Sequence, residues 1–451
     1  MKLKINIPAD VNELIHTLQN NGHSAYIVGG CVRDSILGRT PHDYDICTSA
    51  IPSEMLEIFK DKKIIETGLQ HGTVTVVVNG EPYEITTYRI DGIYSDNRRP
   101  DAVTFTDKLV EDLRRRDFTI NAMAYNDEEG LIDPFNGMED IKYKKISCVG
   151  CEKDRFGEDA LRILRAIRFA AQLEFTIMPG TDWEIHKQYK NLENISIERI
   201  NSEFCKIASS DDFCVELLLY KDVFSLFIPE LKDMFNFPQN NPWHIWDVFG
   251  HTIHAVEYCD SDDLVVRLAV FFHDFGKPHS YQDGEDGIRH FKGHGKVSAD
   301  MTDSIMKRLR FDNETRNNVV ELVYYHDATF EVGKKYVKRW LNKIGEKQFR
   351  RLLQVKKADN KAQNLELSFD RIKELSEIET LIDEVLQEDE CFSLKDLAVN
   401  GKDLIGVGYK SGKELGNTLN KLLQLVIDGD CPNEKEKLLQ EAENLWMERR
   451  M

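Results

Sequence analysis

Asp43 and Asp45, in the segment PHDYDIC, are carboxylates separated by one residue. In an extended segment such residues project from one face, roughly 6.6 to 6.8 Å apart along the chain. Both acids would then enter one site. Divalent cations prefer hard oxygen ligands, and held against a phosphate they assist phosphoryl transfer. Upstream, Gly29 and Gly30 lack a Cβ, so backbone N–H groups there can approach a triphosphate closely, and Arg33 adds a fixed cation. A lone Asp-x-Asp reads as well as a solvated strand end. The glycine pair and arginine make phosphate chemistry the sharper reading.

Positioning these groups requires an apolar strand over Tyr26 to Val28, a short helix over Cys31 to Leu37, and a second strand carrying Asp43 and Asp45. Residues 10–22 have apolar positions at helical spacing, closed by Asn21 and Gly22. A further helix is expected over Ser53 to Lys60, with Ser53 as its cap. Thr73 to Val78 and Tyr83 to Tyr88 alternate as strands separated by Asn79, Gly80, Glu81 and Pro82, a hairpin signal. Glu84 on the second strand is either a third site carboxylate or an outward polar residue. Residues 91–105 are polar and contain a proline, as expected for a mobile active-site loop.

The stretch Ala25 to Ala50 resembles the head-domain signature of class II tRNA nucleotidyltransferases, the CCA-adding enzymes. These are relatives of the bacterial poly(A) polymerases in the polymerase beta superfamily. RRD-x-x-x-N at Arg115, Arg116, Asp117 and Asn121 resembles the second family motif. An arginine fixed by a neighbouring carboxylate suits triphosphate or ribose binding. The resemblance implies that the 91–105 loop separates enzymes able to add the final adenosine from those adding only cytidines, and that Leu131 to Ile141 is a hinge.

Glu158 to Phe169, EDALRILRAIRF, reads as a helix with a charged stripe opposite a core face. Its spacing alone fits i,i+3 ion pairs equally well. The EDxxR resemblance implies that Asp159 and Arg162 read the Watson–Crick edge of the incoming nucleotide, with Arg165 and Arg168 on nucleotide or phosphate. Cytosine and adenine each offer an amino donor beside a ring-nitrogen acceptor, which a carboxylate and a guanidinium complement. Uracil and guanine reverse that pattern and meet like groups. The pair admits both C and A, so their order must come from RNA position and pocket size.

The middle of the chain is rich in histidine and resembles the HD metal-dependent phosphohydrolases. The resemblance implies ligands at His251, His273, Asp274 and Asp359, with His294 and His326 fitting the extra ligands of dinuclear members. Imidazole and carboxylate suit transition metals or magnesium, with water activation at an open position. The alternative is a structural body. Ser393 to Leu423 resembles a family tail element, whose glycines at 406, 408, 412 and 416 form either an RNA-phosphate loop or a simple inter-helix turn. The helix Glu434 to Arg449 is expected to pack.

The 451 residues suffice for two to four domains, with 41% hydrophobic content. No long apolar run occurs, so a cytoplasmic protein without a membrane partner is expected. Nine scattered cysteines fit reduced thiols, and Cys148 and Cys151 lack nearby zinc partners. A formal charge of −19 argues against a non-specific nucleic-acid coat, though local arginine clusters can still line an RNA groove. The expected fold is α+β, with a polymerase-beta-like head bearing a mixed sheet, then helical neck, HD body and tail. The expected boundaries are 1–145, 146–235, 236–362 and 363–451. The expected activity is magnesium-dependent, template-independent CCA addition to tRNA from CTP and ATP, without DNA. A second divalent transition metal is expected at the HD site. Alternatives are CC- or A-adding enzymes, a poly(A) polymerase, chiefly an HD phosphohydrolase, or a silent RNA-binding protein.

Overall fold

A computed structural model describes residues 3–66, 68–92, 102–388 and 390–448. The chain divides into two compact units, Met1–Pro229 and Glu230–Met451.

The first unit opens with α1 (Ala9–Asn20), whose Val11, Leu14, Ile15 and Leu18 are buried along one stripe. Next come β1 (Ala25–Val28), α2 (Gly30–Ile36), β2 (Ile46–Thr48), α3 (Pro52–Ile58) and β3 (Lys63–Ile65). Ser53 does not cap α3: Ile51 takes that place and Pro52 starts the helix, where its missing N–H costs nothing. β4 (Thr73–Val78) and β5 (Glu81–Thr87) form the expected hairpin. The turn is two residues rather than the expected four, because Glu81 and Pro82 pair within β5, and φ is positive at both Asn79 (52°) and Gly80 (91°), as a type I′ turn requires.

β6 (Arg89–Asp91) and β7 (Val103–Phe105) pair antiparallel at the ends of the polar segment, so part of the expected loop is strand. Its centre, 93–101, lies outside the described residues. After α4 (Leu109–Arg114) come β8 (Ala124–Asn126) and β9 (Gly130–Ile132). The mixed seven-stranded sheet has the order β3-β4-β5-β2-β1-β8-β9, with β2 and β5 parallel. Tyr26, Val28, Cys47, Tyr88, Leu113, Ala122, Ala124 and Val149 form one core cluster on it.

Helices follow: α5 (Gly137–Lys142), α6 (Glu152–Glu158), α7 (Leu161–Leu173), α8 (Pro179–Gln188), α9 (Ile197–Ala208), α10 (Phe213–Leu219) and α11 (Lys221–Phe227). The segment 158–169 is therefore not a single helix. Asp159 is extended (φ −136°, ψ 105°), and its Oδ1 accepts the Leu161 N–H at 3.0 Å. This local side-chain bond competes with continued helix and separates α6 from α7.

The second unit is helical: α12 (Val248–Glu257), α13 (Leu264–Phe272), α14 (His294–Arg308), α15 (Asn313–Tyr325), α16 (Lys334–Ala362, broken at Gly345), α17 (Leu365–Gln387), α18 (Gly401–Val407), α19 (Lys413–Asp428) and α20 (Lys435–Glu448). Phe271, Phe272 and Phe275 are fully buried at its centre. The last three helices enclose a cluster including Leu404, Leu422, Leu423 and Leu438. Gly408 and Gly412, both at positive φ, flank the turn between α18 and α19, whereas Gly406 and Gly416 lie inside helices.

Candidate active site and a second polar cluster

Asp43 and Asp45 precede β2 rather than lying on it. Aspartate disfavours strand and Pro41 has no N–H for a ladder. Asp45 nevertheless follows the sheet, its carbonyl accepting the Val28 N–H at 3.0 Å. Because Ile46 pairs with Ile85 in parallel register, the preceding residues, Asp45 and Glu84, are neighbours on adjacent chain segments. Both aspartates are open to solvent. The Asp45 carboxyl is raised above its ordinary range, by desolvation within the cleft walls first and then by repulsion from Asp43 and Glu84, with Arg116 opposing. Acids that repel one another in an open cleft form a donor set that a divalent cation would relieve. Glu84 thus sits beside Asp45, a placement that the β2–β5 register decides, although it is not among the residues that line the cleft.

Gly29 has φ +83°, and a Cβ there would lie 2.9 Å from Arg116 Nη1. Its N–H is donated to the Met123 carbonyl at 3.1 Å, so this glycine makes room for a cation instead of offering its own amide. Arg33 on α2 is buried, and its Nη1 donates to Asn121 Oδ1 at 2.6 Å while its Nε donates to Asp34. Asn121 Nδ2 donates in turn to Asp117 Oδ1 at 3.2 Å, and Arg165 Nε to Asp117 Oδ2 at 2.7 Å. One continuous chain of hydrogen bonds therefore runs from α2 to α7. Burial alone would raise Asp117, but Arg165, Arg162 and these hydrogen bonds outweigh it and hold the carboxyl at about 2. Asp117 acts as the anchor that orients its neighbours.

Arg162 is held by the Glu158 carboxylate and by the carbonyls of Arg155 and Arg115. Asp159 Oδ2 accepts from Arg199 Nη2 at 2.9 Å. Arg168 Nη1 donates to Glu203 at 3.3 Å. The charged stripe is thus buried or half-buried, and its members are individually paired. Arg199 and Glu203, to which the sequence reading gives no role, are these partners, and only their alignment with Asp159 and Arg168 reveals it.

All twelve of the residues expected in this site line one cleft of roughly 530 Å³, joined by Arg115, Leu161, Phe169 and Arg199. Carboxylates occupy one part and arginines the rest. The buried Nε atoms of Arg116 and Arg168 and Nη1 of Arg199 have no acceptor within the described residues.

In the second unit, five helices deliver another polar cluster. His251 comes from α12, His273 and Asp274 from the end of α13, His294 from the start of α14, His326 from the end of α15, and Asp359 from α16. His251 Nε2 lies 3.2 Å from His273 Nε2 and 3.0 Å from Asp359 Oδ1, and His294 Nε2 lies 3.0 Å from His326 Nε2. Two ligand groups, His251–His273–Asp274 and Asp274–His294–His326, share Asp274. Lys277 Nζ is 2.7 Å from Asp274 Oδ2, and His273 Nε2 is 3.2 Å from the same oxygen. Despite burial, His273 and Lys277 hold Asp274 well below the usual carboxylate range, and the hydrogen bond from His251 together with His273 does the same for Asp359. Burial lowers His251 and His326, favouring the neutral imidazole that binds metal.

The sheet and its acid–arginine cleft define a nucleotidyltransferase, and residues 25–147 match the poly A polymerase head domain. Residues 282–442 match tRNA nucleotidyltransferase domain 2, putative. A CCA-adding enzyme of Lactobacillus delbrueckii subsp. bulgaricus is 51% identical over 199 residues, 44% of this chain and half the length of that relative. The CCA-adding enzyme of Lactobacillus helveticus is 33% identical over 444 residues, 96% of each chain. The crystal structure of the Bacillus stearothermophilus CCA-adding enzyme in complex with CTP is similar with a TM-score of 0.71, 27% identity and 97% coverage of both chains. This chain belongs to the CCA-adding enzyme family. That superfamily implies a divalent metal, and no described helix is long and apolar enough to cross a membrane.

Proposed function

We propose that this chain adds C, C and A to the 3′ end of tRNA, using CTP and ATP and releasing pyrophosphate. The observation that carries this reading is the single cleft joining Asp43 and Asp45 to the arginines and to Asp159 and Arg162. Asp43 and Asp45, with Glu84 beside them, would hold magnesium. When bound, the metal supplies charge neutralisation at the phosphates and a more acidic 3′ hydroxyl. Arg33, Arg116 and Arg165 bind and orient the triphosphate, helped by Gly29, Gly30, Asp117 and Asn121. The 3′ oxygen then attacks the α-phosphorus as the bond to pyrophosphate breaks. Asp159 keeps acceptor capacity beyond its bonds to Leu161 and Arg199, so it can take the amino group of C or A while Arg162 donates to the ring nitrogen.

In this reading residues 1–145 form the head, 146–235 the neck, 236–362 an HD body and 363–451 a tail that contacts tRNA. The reaction fits the cytoplasm. A second activity, metal-dependent phosphoester hydrolysis, is supported by Asp274 standing in both ligand groups. His251, His273, Asp274 and Asp359, with His294 and His326, would hold divalent transition metals there.

The test is incubation with tRNAs ending before the first C, after CC and after CCA, each with CTP, ATP or both. Three nucleotides added to the first tRNA and none to the last is the expected result. Homopolymeric A tails point to a poly(A) polymerase, addition of C or A alone to a partial enzyme, and no extension overturns the reading.

A further inference from the structure

Phe169 carries no polar atom, yet it lines the charged cleft beside Arg33, Arg165 and Arg168. The guanidinium carbon of Arg168 lies 4.2 Å from its ring centroid, that of Arg33 4.9 Å and that of Arg165 5.4 Å. Arg33 belongs to α2 and the other two to α7, so one ring gathers cations from two elements. Three guanidinium groups at this spacing repel one another. Arg168 registers it: burial first, then Arg165 and Arg33, lower it to about 10 against the pull of Glu203. The negative face of an aromatic ring offsets such repulsion without consuming an N–H donor, which a further carboxylate would do. The ring itself is fixed, 5% exposed and set edge-on against Phe118 at 5.8 Å.

We propose that Phe169 is a positioning residue for nucleotide binding, its ring holding Arg33, Arg165 and Arg168 as one preassembled array for the triphosphate. This rests on the nucleotide-addition reading above. The ring acts on ground-state affinity and leaves the metal-binding acids untouched, so its loss belongs in KM more than in kcat.

The test uses the full chain, with CTP and ATP binding measured at equilibrium in magnesium without RNA, beside steady-state kinetics. Phe169→Leu keeps an apolar side chain and removes the ring face, and is expected to weaken both nucleotides about tenfold. Its KM should rise in parallel, with kcat within about threefold of the parent. Phe169→Tyr restores the ring and should bind within about twofold of the parent. In an Arg168→Gln background the leucine change should cost less than in the parent, because part of what the ring holds has gone. If Phe169→Leu melts early, Phe169→Met serves with the same expectations. Unchanged binding in the leucine variant, equal loss in the tyrosine variant, or an undiminished loss beside Arg168→Gln overturns the proposal. Failure of the underlying reading is separate: the unsubstituted chain would then neither bind CTP nor extend tRNA.

Discussion

At the scale of the residue, the proposed function gives the reaction to Asp43 and the selection to Asp159. Asp43→Ala removes one of the acids at the cleft and is expected to lower kcat for CMP addition by about 10³-fold, comparable with the loss of one strong electrostatic stabiliser. Its melting temperature should hold, because Asp43 is exposed. Single-turnover extension of a tRNA lacking CCA checks this. Asp159→Asn replaces an acceptor by an amide that can also donate, so uracil is no longer refused outright. The ratio of kcat/KM for CTP over UTP should fall by about tenfold or more, measured by competition. Asp43 is a site candidate from the Asp-x-Asp spacing and Asp159 from the EDxxR resemblance, and both line the cleft. Arg199 and Glu203 are not legible in these motifs, because they meet Asp159 and Arg168 only through the packing of α9; for Glu84 the sequence leaves two placements open, and strand register sets it beside Asp45.

At the scale of the element, α10 carries a buried carboxyl beside other acids. Among the described residues Glu216 Oε2 lacks a hydrogen-bond partner, and burial, Asp212 and Asp182 push the group up to about 8. Tyr220 gives its hydroxyl to Asp182 instead. Between the unfolded value near 4.5 and the folded value, the native state holds the extra proton, so stability falls as pH rises through that window. Glu216→Gln should match the parent at pH 4.5 and be more stable above pH 8, by on the order of 3 kcal/mol. Urea unfolding of the two proteins across pH 4.5 to 9 gives the comparison. Periodicity located α1 and the β4–β5 hairpin well, because their apolar residues repeat at the element's own period. It merged α6 with α7, because the break at Asp159 comes from one side-chain hydrogen bond that leaves the apolar pattern intact.

At the scale of the whole molecule, two compact units carry two separate polar centres. Manganese or nickel added to metal-stripped protein should raise the melting temperature of the second unit, because a ligand that binds only the native state stabilises it. His273→Ala should abolish that rise while CCA addition proceeds at the parental rate. Calorimetry beside the tRNA assay reads both, and a rise that survives His273→Ala removes the histidine cluster as the site. The sequence by itself determined the chemistry available: acids one residue apart, a glycine–arginine turn, arginines at every third position, and an ordered set of histidines and aspartates. Local spacing carries these, so they survive without coordinates. Only the tertiary structure decided that residues from 29 to 199 share one cleft, that Asp117 works as an anchor, and that Asp274 belongs to two ligand groups. The physical reason is that burial, charge pairing and strand register depend on contacts between segments distant in sequence, which no local pattern encodes.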